Sequence, residues 1–203
     1  PNGVDLPNGV DLPNGVDLPN GVDLSPTAAL PNRVAPALSA QTKAPAGETV
    51  LHFTRFVEVA PLWFAAYALA LAKRAPNANI IVAGSPLRTK GDAPFRHAVA
   101  ATNLQNVTWL GYLPPPVLPG LYAASDVAIF PAAATALQEA KCSVRLATTL
   151  LGGVPVVASA VGEQSHYGAD GSALLLPANA TPAHFADATV ALDENRNPRA
   201  RPA

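Results

Sequence analysis

From residue 48 onward the chain alternates between short, almost continuous apolar runs and stretches in which apolar residues recur at helical spacing. "TVLHFT" (49–54), "NIIVAG" (79–84), "VTWLG" (107–111), "DVAIFP" (126–131) and "VPVVAS" (154–159) read as strands, followed by a short "ALLL" at 173–176. The intervening segments read as helices. The clearest is "PLWFAAYALALAKRA" (61–75), with proline in its first turn and a basic end; others are expected around 93–102, 117–124, 144–151 and 181–193. Strands and helices alternate six times. Strands this apolar are buried on both faces, so the pattern predicts an α/β fold, a doubly wound parallel sheet of Rossmann-like type. Ligands of such sheets lie at the carboxyl ends of the strands, which directs attention to the loops after Thr54, Gly84, Gly111, Pro131 and Ser159.

The first 47 residues show neither period. The chain opens with PNGVDL four times in tandem and continues with the Pro/Ala/Ser-rich "SPTAALPNRVAPALSAQTKAPAGE". Each Pro-Asn-Gly favours a turn, and Val-Asp-Leu a short extended piece. So few apolar side chains do not offset the ordering entropy, which predicts a flexible, disordered leader. A small repeat architecture is the alternative, although stacking needs capped ends and a longer array. The expected division is a leader over 1–47, a folded domain over 48–193 and a tail over 194–203. The first residue is Pro1 and no basic-then-apolar signal segment heads the chain, so a fragment of a longer protein is expected.

Composition narrows the partners. The 203 residues are 49% hydrophobic, enough for a real core. Residues 1–24 hold four aspartates and no base, which leaves the remainder, with 13 basic and 10 acidic residues, near +3. That balance is too mild to predict nucleic acid or an anionic membrane as the main partner. The longest apolar run, the 14 residues from Val59 to Ala72, falls short of the roughly 20 needed to span a bilayer. A single cysteine, Cys142, excludes an internal disulfide, and no Cys/His group has zinc spacing; a cytoplasmic location without a structural metal is expected.

Neither G-x-G-x-x-G nor G-x-x-x-x-G-K-[ST] is present, which argues against hydride transfer and NTP hydrolysis. Arg55 stands at the end of the first strand, where a guanidinium can fork onto a phosphate or simply be solvated. Ser143 is placed to cap a helix beginning at Val144, and Gly152-Gly153 to stop it. The amino end of that helix, with Lys141 beside it, would stabilise a diphosphate. The alternative is a Ser143 that only caps and a Lys141 that is solvated. Cys142 stands near a helix start, where a nucleophile could be placed, yet no histidine is tied to it by a motif, so it is read as a small structural residue.

These blocks resemble the group 1 glycosyltransferases, retaining enzymes of the GT-B fold, in their carboxyl-terminal, donor-binding domain. The resemblance runs in order through "VLHFTRFVE" (50–58), "NIIVAGSPL" (79–87), "NLQNVTWLGYLPPPVLPGLYAASDVAIFP" (103–131), "GGVPVVASAVGE" (152–163) and "YGADGSALLLPANATPAHFADA" (167–188). It further implies that PNGVDL is the interdomain linker motif of the family, P-N-G-V-D, duplicated in tandem. The chain is then one half of a GT-B fold, with the N-terminal acceptor domain missing and any peripheral membrane contact belonging to that absent domain.

The resemblance assigns roles to particular positions. Arg55 matches the basic residue on the donor diphosphate, whereas the lysine usual a few residues later is replaced by "VEVAPL". Tyr112 and Leu113 match the segment lining the base pocket, with Trp109 nearby. Lys141, Cys142 and Ser143 fall where a loop and helix start meet the phosphates and the sugar. Of the two family glutamates, the later aligns with Thr148 and the earlier with Ala140, with Glu139 adjacent. A carboxylate can hold two ribose hydroxyls, whereas Thr148 offers one hydroxyl. Arg55 and Lys141 are thus the candidate catalytic residues, and Tyr112, Leu113, Glu139, Cys142, Ser143 and Thr148 the candidate donor-binding ones. The implied reaction moves a sugar from a nucleotide-diphosphate donor to an acceptor with retention and without a bound metal or other cofactor. A catalytically inactive nucleotide-binding or interaction module is the alternative; a sugar-nucleotide epimerase of the same architecture ranks below both.

Overall fold

The computed structural model describes residues 47–87 and 91–196, with side chains of the last helix followed as far as Asp193. The PNGVDL repeat, the leader expected up to residue 47 and most of the tail therefore lie outside the described residues. Six strands, β1 (Thr49–Phe53), β2 (Asn79–Ala83), β3 (Val107–Gly111), β4 (Val127–Phe130), β5 (Val156–Ser159) and β6 (Ala173–Leu176), form one sheet in the order β3-β2-β1-β4-β5-β6. Every pairing is parallel, with Leu51 opposite Ile81 on one side and Ala128 on the other. The strand order reverses between β1 and β4, and this is the switch point at which a doubly wound sheet opens a crevice.

Among the described residues seven helices accompany the strands, six between them and one after β6: α1 (Pro61–Arg74), α2 (Ala93–Ala100), α3 (Leu118–Ala123), α4 (Ala136–Ala140), α5 (Val144–Leu151), α6 (Glu163–Tyr167) and α7 (Pro182–Arg196), with a 3-10 turn at Pro115–Val117 before α3. The expected strands and long helices are all present, with ends displaced by a few residues. Two helices were not anticipated, α4 and α6. Each has five residues, too few to show a period.

The strands alternate their side chains between two cores. Val50, Ile80, Val82, Val127 and Ile129 face α1, α2 and α7, where α1 presents Phe64, Tyr67, Ala68 and Leu71 at the i, i+3, i+4, i+7 spacing of one helix face. Leu51, Ile81, Ala83, Ala128, Phe130, Val156 and Ala158 face Leu121 and Tyr122 of α3 and Leu146 of α5. Each large side chain so buried contributes about 1.5–3 kcal/mol. Trp63 of α1 meets Phe185 of α7 edge-on at 5.2 Å, and the Tyr67 hydroxyl lies 3.2 Å from that of Thr189.

Gly84 shapes the carboxyl edge. Its N–H donates to the Gly111 carbonyl at 2.7 Å, at φ +118°, and a Cβ there would lie 2.0 Å from the Thr54 carbonyl oxygen. Only glycine lets the end of β2 pass this close to the end of β1.

Candidate functional site

The β1–α1 loop turns back under itself directly after the strand. Thr54 N–H donates to Ala83 O at 2.9 Å, and Phe56 N–H donates to the Thr54 hydroxyl at 2.9 Å. Phe56 adopts φ +62°, a left-handed conformation that costs a bulky residue on the order of 1–3 kcal/mol. Its ring is held by Phe95 at 5.2 Å and Trp109 at 6.4 Å, so burial opposes the strain. The turn brings the carboxylate of Glu58 beneath the loop. There it accepts from the Thr54 hydroxyl at 2.8 Å, from Arg55 N–H at 3.1 Å and from Val57 N–H at 3.1 Å.

Across the crevice stands the loop between α4 and α5. Lys141 Nζ donates to Glu58 Oε1 at 2.6 Å, and the Arg145 guanidinium approaches the same oxygen to 3.7 Å while lying over the Phe53 ring at 5.3 Å. Burial pushes the Glu58 carboxyl up, but the ammonium of Lys141 and the loop donors outweigh it and hold the group at about 2. Burial holds Arg145 below its ordinary value; Glu58 opposes this, and the nearby charge of Arg55 adds to it. Phe53, Glu58, Lys141, Ser143, Arg145 and the buried Gln164 line a cavity of about 210 Å³ at the carboxyl ends of β1 and β4. Gln164, with its amide nitrogen turned to the sheet, donates to Phe130 O at 2.9 Å and Ser159 O at 3.2 Å, which fixes α6 as one wall.

The anticipated residues divide by place. Lys141 and Ser143 line the cavity, and Lys141 is ion-paired rather than solvated. Arg55 sits beside it: its backbone N–H binds Glu58, while its buried Nε has no hydrogen-bond partner among the described residues. Ser143 is the residue before α5 and is buried, but its side chain makes no cap hydrogen bond, so the first-turn N–H groups are not taken up by its hydroxyl. Cys142 is exposed on the cavity wall, its Sγ 3.6 Å from the Tyr167 hydroxyl, instead of being packed as a structural residue. The Thr148 hydroxyl accepts from Tyr122 at 3.0 Å and donates to Arg145 O at 3.1 Å. Glu139 is exposed on α4 and is not among the cavity lining.

Tyr112 is 67% exposed, and Leu113 packs half-buried against the α3 and α5 core. Trp109 lies beneath the Arg96 guanidinium at 4.8 Å and against Phe56 and Phe64, within the aromatic cluster rather than on the cavity wall. Sequence reasoning did not single out Glu58, Arg145 or Gln164. Arg145, a base in the first turn of a helix at the carboxyl edge, carried the clearest signal of the three.

Cations and helix N–H groups in a half-enclosed crevice can hold an anion with several oxygens and stabilise charge developing on it. Among the described residues no group of three or more His, Cys, Asp or Glu gathers where a metal ion could be held. No described helix is long and apolar enough to cross a membrane.

No curated protein matches the chain. Among solved structures, it is similar to Anabaena HepE in complex with UDP and glucose, with 18% identity, a TM-score of 0.53, and coverage of 82% of this chain and 51% of that one. It is also similar to sucrose-phosphate synthase of Thermosynechococcus elongatus, with 23% identity, a TM-score of 0.56, and coverage of 80% and 39%. The α,α-trehalose-phosphate synthase of Burkholderia xenovorans aligns at 13% identity with a TM-score of 0.60, covering 82% and 40%. The chain thus spans about half the length of these proteins or less, and at such identities the likeness concerns the fold. The family model for glycosyl transferases group 1 matches residues 47–195, the whole of the sheet and its helices. On that match the chain belongs to the group 1 glycosyltransferases.

Proposed function

We propose that this domain is the donor-binding half of a glycosyltransferase and holds a nucleotide-diphosphate sugar at the carboxyl ends of β1 and β4. The observation that carries the reading is the cavity at the switch point, walled by Lys141, Ser143 and the start of α5. The donor's diphosphate lies against these groups, with Arg55 reaching it from the β1–α1 loop. As the bond between the sugar's anomeric carbon and the diphosphate breaks, negative charge grows on the departing oxygen, and cations already in place stabilise it more than they stabilise the ground state. The acceptor hydroxyl forms the new bond on the same face, with retention and without a bound metal, and passes its proton to the departing diphosphate oxygen. Acceptor recognition belongs to a second domain, as the greater length of the solved relatives suggests, and PNGVDL is the linker motif leading into the donor domain.

Titrating the full chain with UDP, GDP and ADP by calorimetry tests this. Saturable binding of one of them, lost in high salt, is expected. A folded chain that binds none of the three overturns the reading. One observation favours a module that binds without catalysing: the Thr148 hydroxyl, at the place of a family glutamate, is already engaged on both its donor and acceptor sides. Hydrolysis or transfer of a bound donor sugar by the longer protein separates the two readings.

A further inference from the structure

We propose that Arg145 is a second diphosphate-binding cation of this crevice, taking the place of the basic residue that the β1–α1 loop does not supply. The inference rests on the donor-binding reading above and assigns a residue within that site. The loop after β1 provides Arg55, but the positions that follow it, Phe56 to Pro61, contain no base; Glu58 is the charged residue there. The missing charge is restored from the opposite wall, in the first turn of α5.

Three features support the assignment. First, the Arg145 guanidinium is oriented but not consumed. Its side chain is 22% exposed, it lies over the Phe53 ring at 5.3 Å, and its distance of 3.7 Å from Glu58 Oε1 exceeds that of a hydrogen bond. Five N–H donors in a planar fork therefore stand at the cavity with no carboxylate bound in bidentate fashion. Second, the local charges do not balance. Lys141 and Arg145 both approach Glu58, the one carboxylate among the described lining residues, and Lys141 takes its closest contact. The charge of Arg55 further disfavours that of the partly buried Arg145, an arrangement that an arriving dianion relieves. Third, the Nε of Arg55 is buried without a hydrogen-bond partner among the described residues, so a donor on the neighbouring guanidinium also awaits an acceptor.

A purely structural Arg145 would pack its stem on Phe53 and be indifferent to phosphate. Calorimetry on the full chain distinguishes the two, using whichever of UDP, GDP and ADP binds best and the corresponding nucleoside without phosphate. The substitution Arg145→Met keeps the apolar stem; it is expected to weaken diphosphate binding about tenfold or more, as for loss of a charge-assisted contact, and to leave nucleoside binding within about twofold. Arg145→Lys restores part of the loss. In the unsubstituted chain, the diphosphate is expected to protect Arg145 from phenylglyoxal, read by peptide mass, whereas the nucleoside does not; this measurement stands even where Arg145→Met fails to fold. Equal affinities for diphosphate in the Met variant, or modification of Arg145 unaffected by bound diphosphate, overturn the assignment. If that occurs while Arg55→Ala or Lys141→Ala weakens binding, only Arg145 is removed from the site. If the unsubstituted chain binds no nucleoside diphosphate, the donor reading and this assignment fall together.

Discussion

The ammonium of Lys141 meets the carboxylate of Glu58 at 2.6 Å, joining the loop before α5 to the loop after β1 across 83 positions of sequence. Glu58 is 9% and Lys141 26% exposed, so the pair is only partly screened by solvent. The carboxylate also satisfies two backbone N–H groups and the Thr54 hydroxyl. It fixes both walls of the crevice at once.

Removing that carboxylate is therefore expected to loosen both walls. Glu58→Ala leaves Lys141 and the loop donors without an acceptor and is expected to destabilise the domain by about 2–4 kcal/mol in urea unfolding at pH 7. Glu58→Gln, which keeps an acceptor but no charge, should cost about half as much. The pH dependence follows from the depressed carboxyl. With a folded value of about 2 against 4.5 for the free group, Glu58 contributes stability above pH 4.5, and this is lost as pH falls towards 2. The Gln variant lacks that component of acid sensitivity. Glu58→Ala as stable as the original chain would show that the bridge holds nothing.

His52 carries the opposite chemistry. It sits in β1 at 2% exposure, stacked on Phe64 at 4.9 Å, with Nδ1 3.4 Å from the Ile129 carbonyl oxygen. Burial pulls its value from 6.5 down to about 4, against the attraction of Glu58. Below pH 6.5 the unfolded chain takes up a proton that the folded chain refuses until about pH 4, so stability is full above 6.5 and falls through that interval. The loss amounts to on the order of 3 kcal/mol. His52→Leu, apolar and able to pack on Phe64, is expected to flatten the profile between pH 6.5 and 4.5, where Glu58 does not yet titrate. An unchanged slope in that variant would place the titrating group elsewhere.

What the sequence disclosed follows from which forces are local. The strands were legible because burial on both faces leaves an unbroken apolar run, as in "NIIVA", and α1 because four apolar residues fall on one face. Helices α4 and α6 were not, since five residues show no period. At the site, Arg55 and Lys141 announced themselves by standing at a strand end and a helix start. Glu58 did not: its meaning comes from a partner 83 residues away and from a left-handed Phe56 that no local propensity favours. Ser143 shows the converse, a residue well suited to capping whose hydroxyl makes no cap because the local backbone, at ψ 63°, departs from the extended cap conformation. Trp109, in β3, was expected near the base pocket because it stands close to Tyr112 and Leu113, but its ring turns into the α1 and α2 core.

Gly162 offers a way to disturb the crevice without touching its charges. It precedes α6 at φ +53° and ψ −137°, a conformation nearly confined to glycine, and a Cβ there would lie 2.6 Å from Glu139 O and 2.8 Å from Gln138 O. Those carbonyls belong to α4, whose end leads directly to Lys141, while α6 carries Gln164 into the cavity wall. Gly162→Ala combines backbone strain with a clash against main-chain atoms that no rotamer can relieve, and is expected to destabilise the domain by about 2–4 kcal/mol. Because the clash pushes α4 away from α6, the Lys141 loop should move with it. Nucleoside diphosphate affinity should then fall even under conditions where circular dichroism shows the chain fully folded. An alanine variant with unchanged stability would mean that α4 and α6 are not held at the separation described; lowered stability with full affinity would mean that the Lys141 loop is positioned by Glu58 alone.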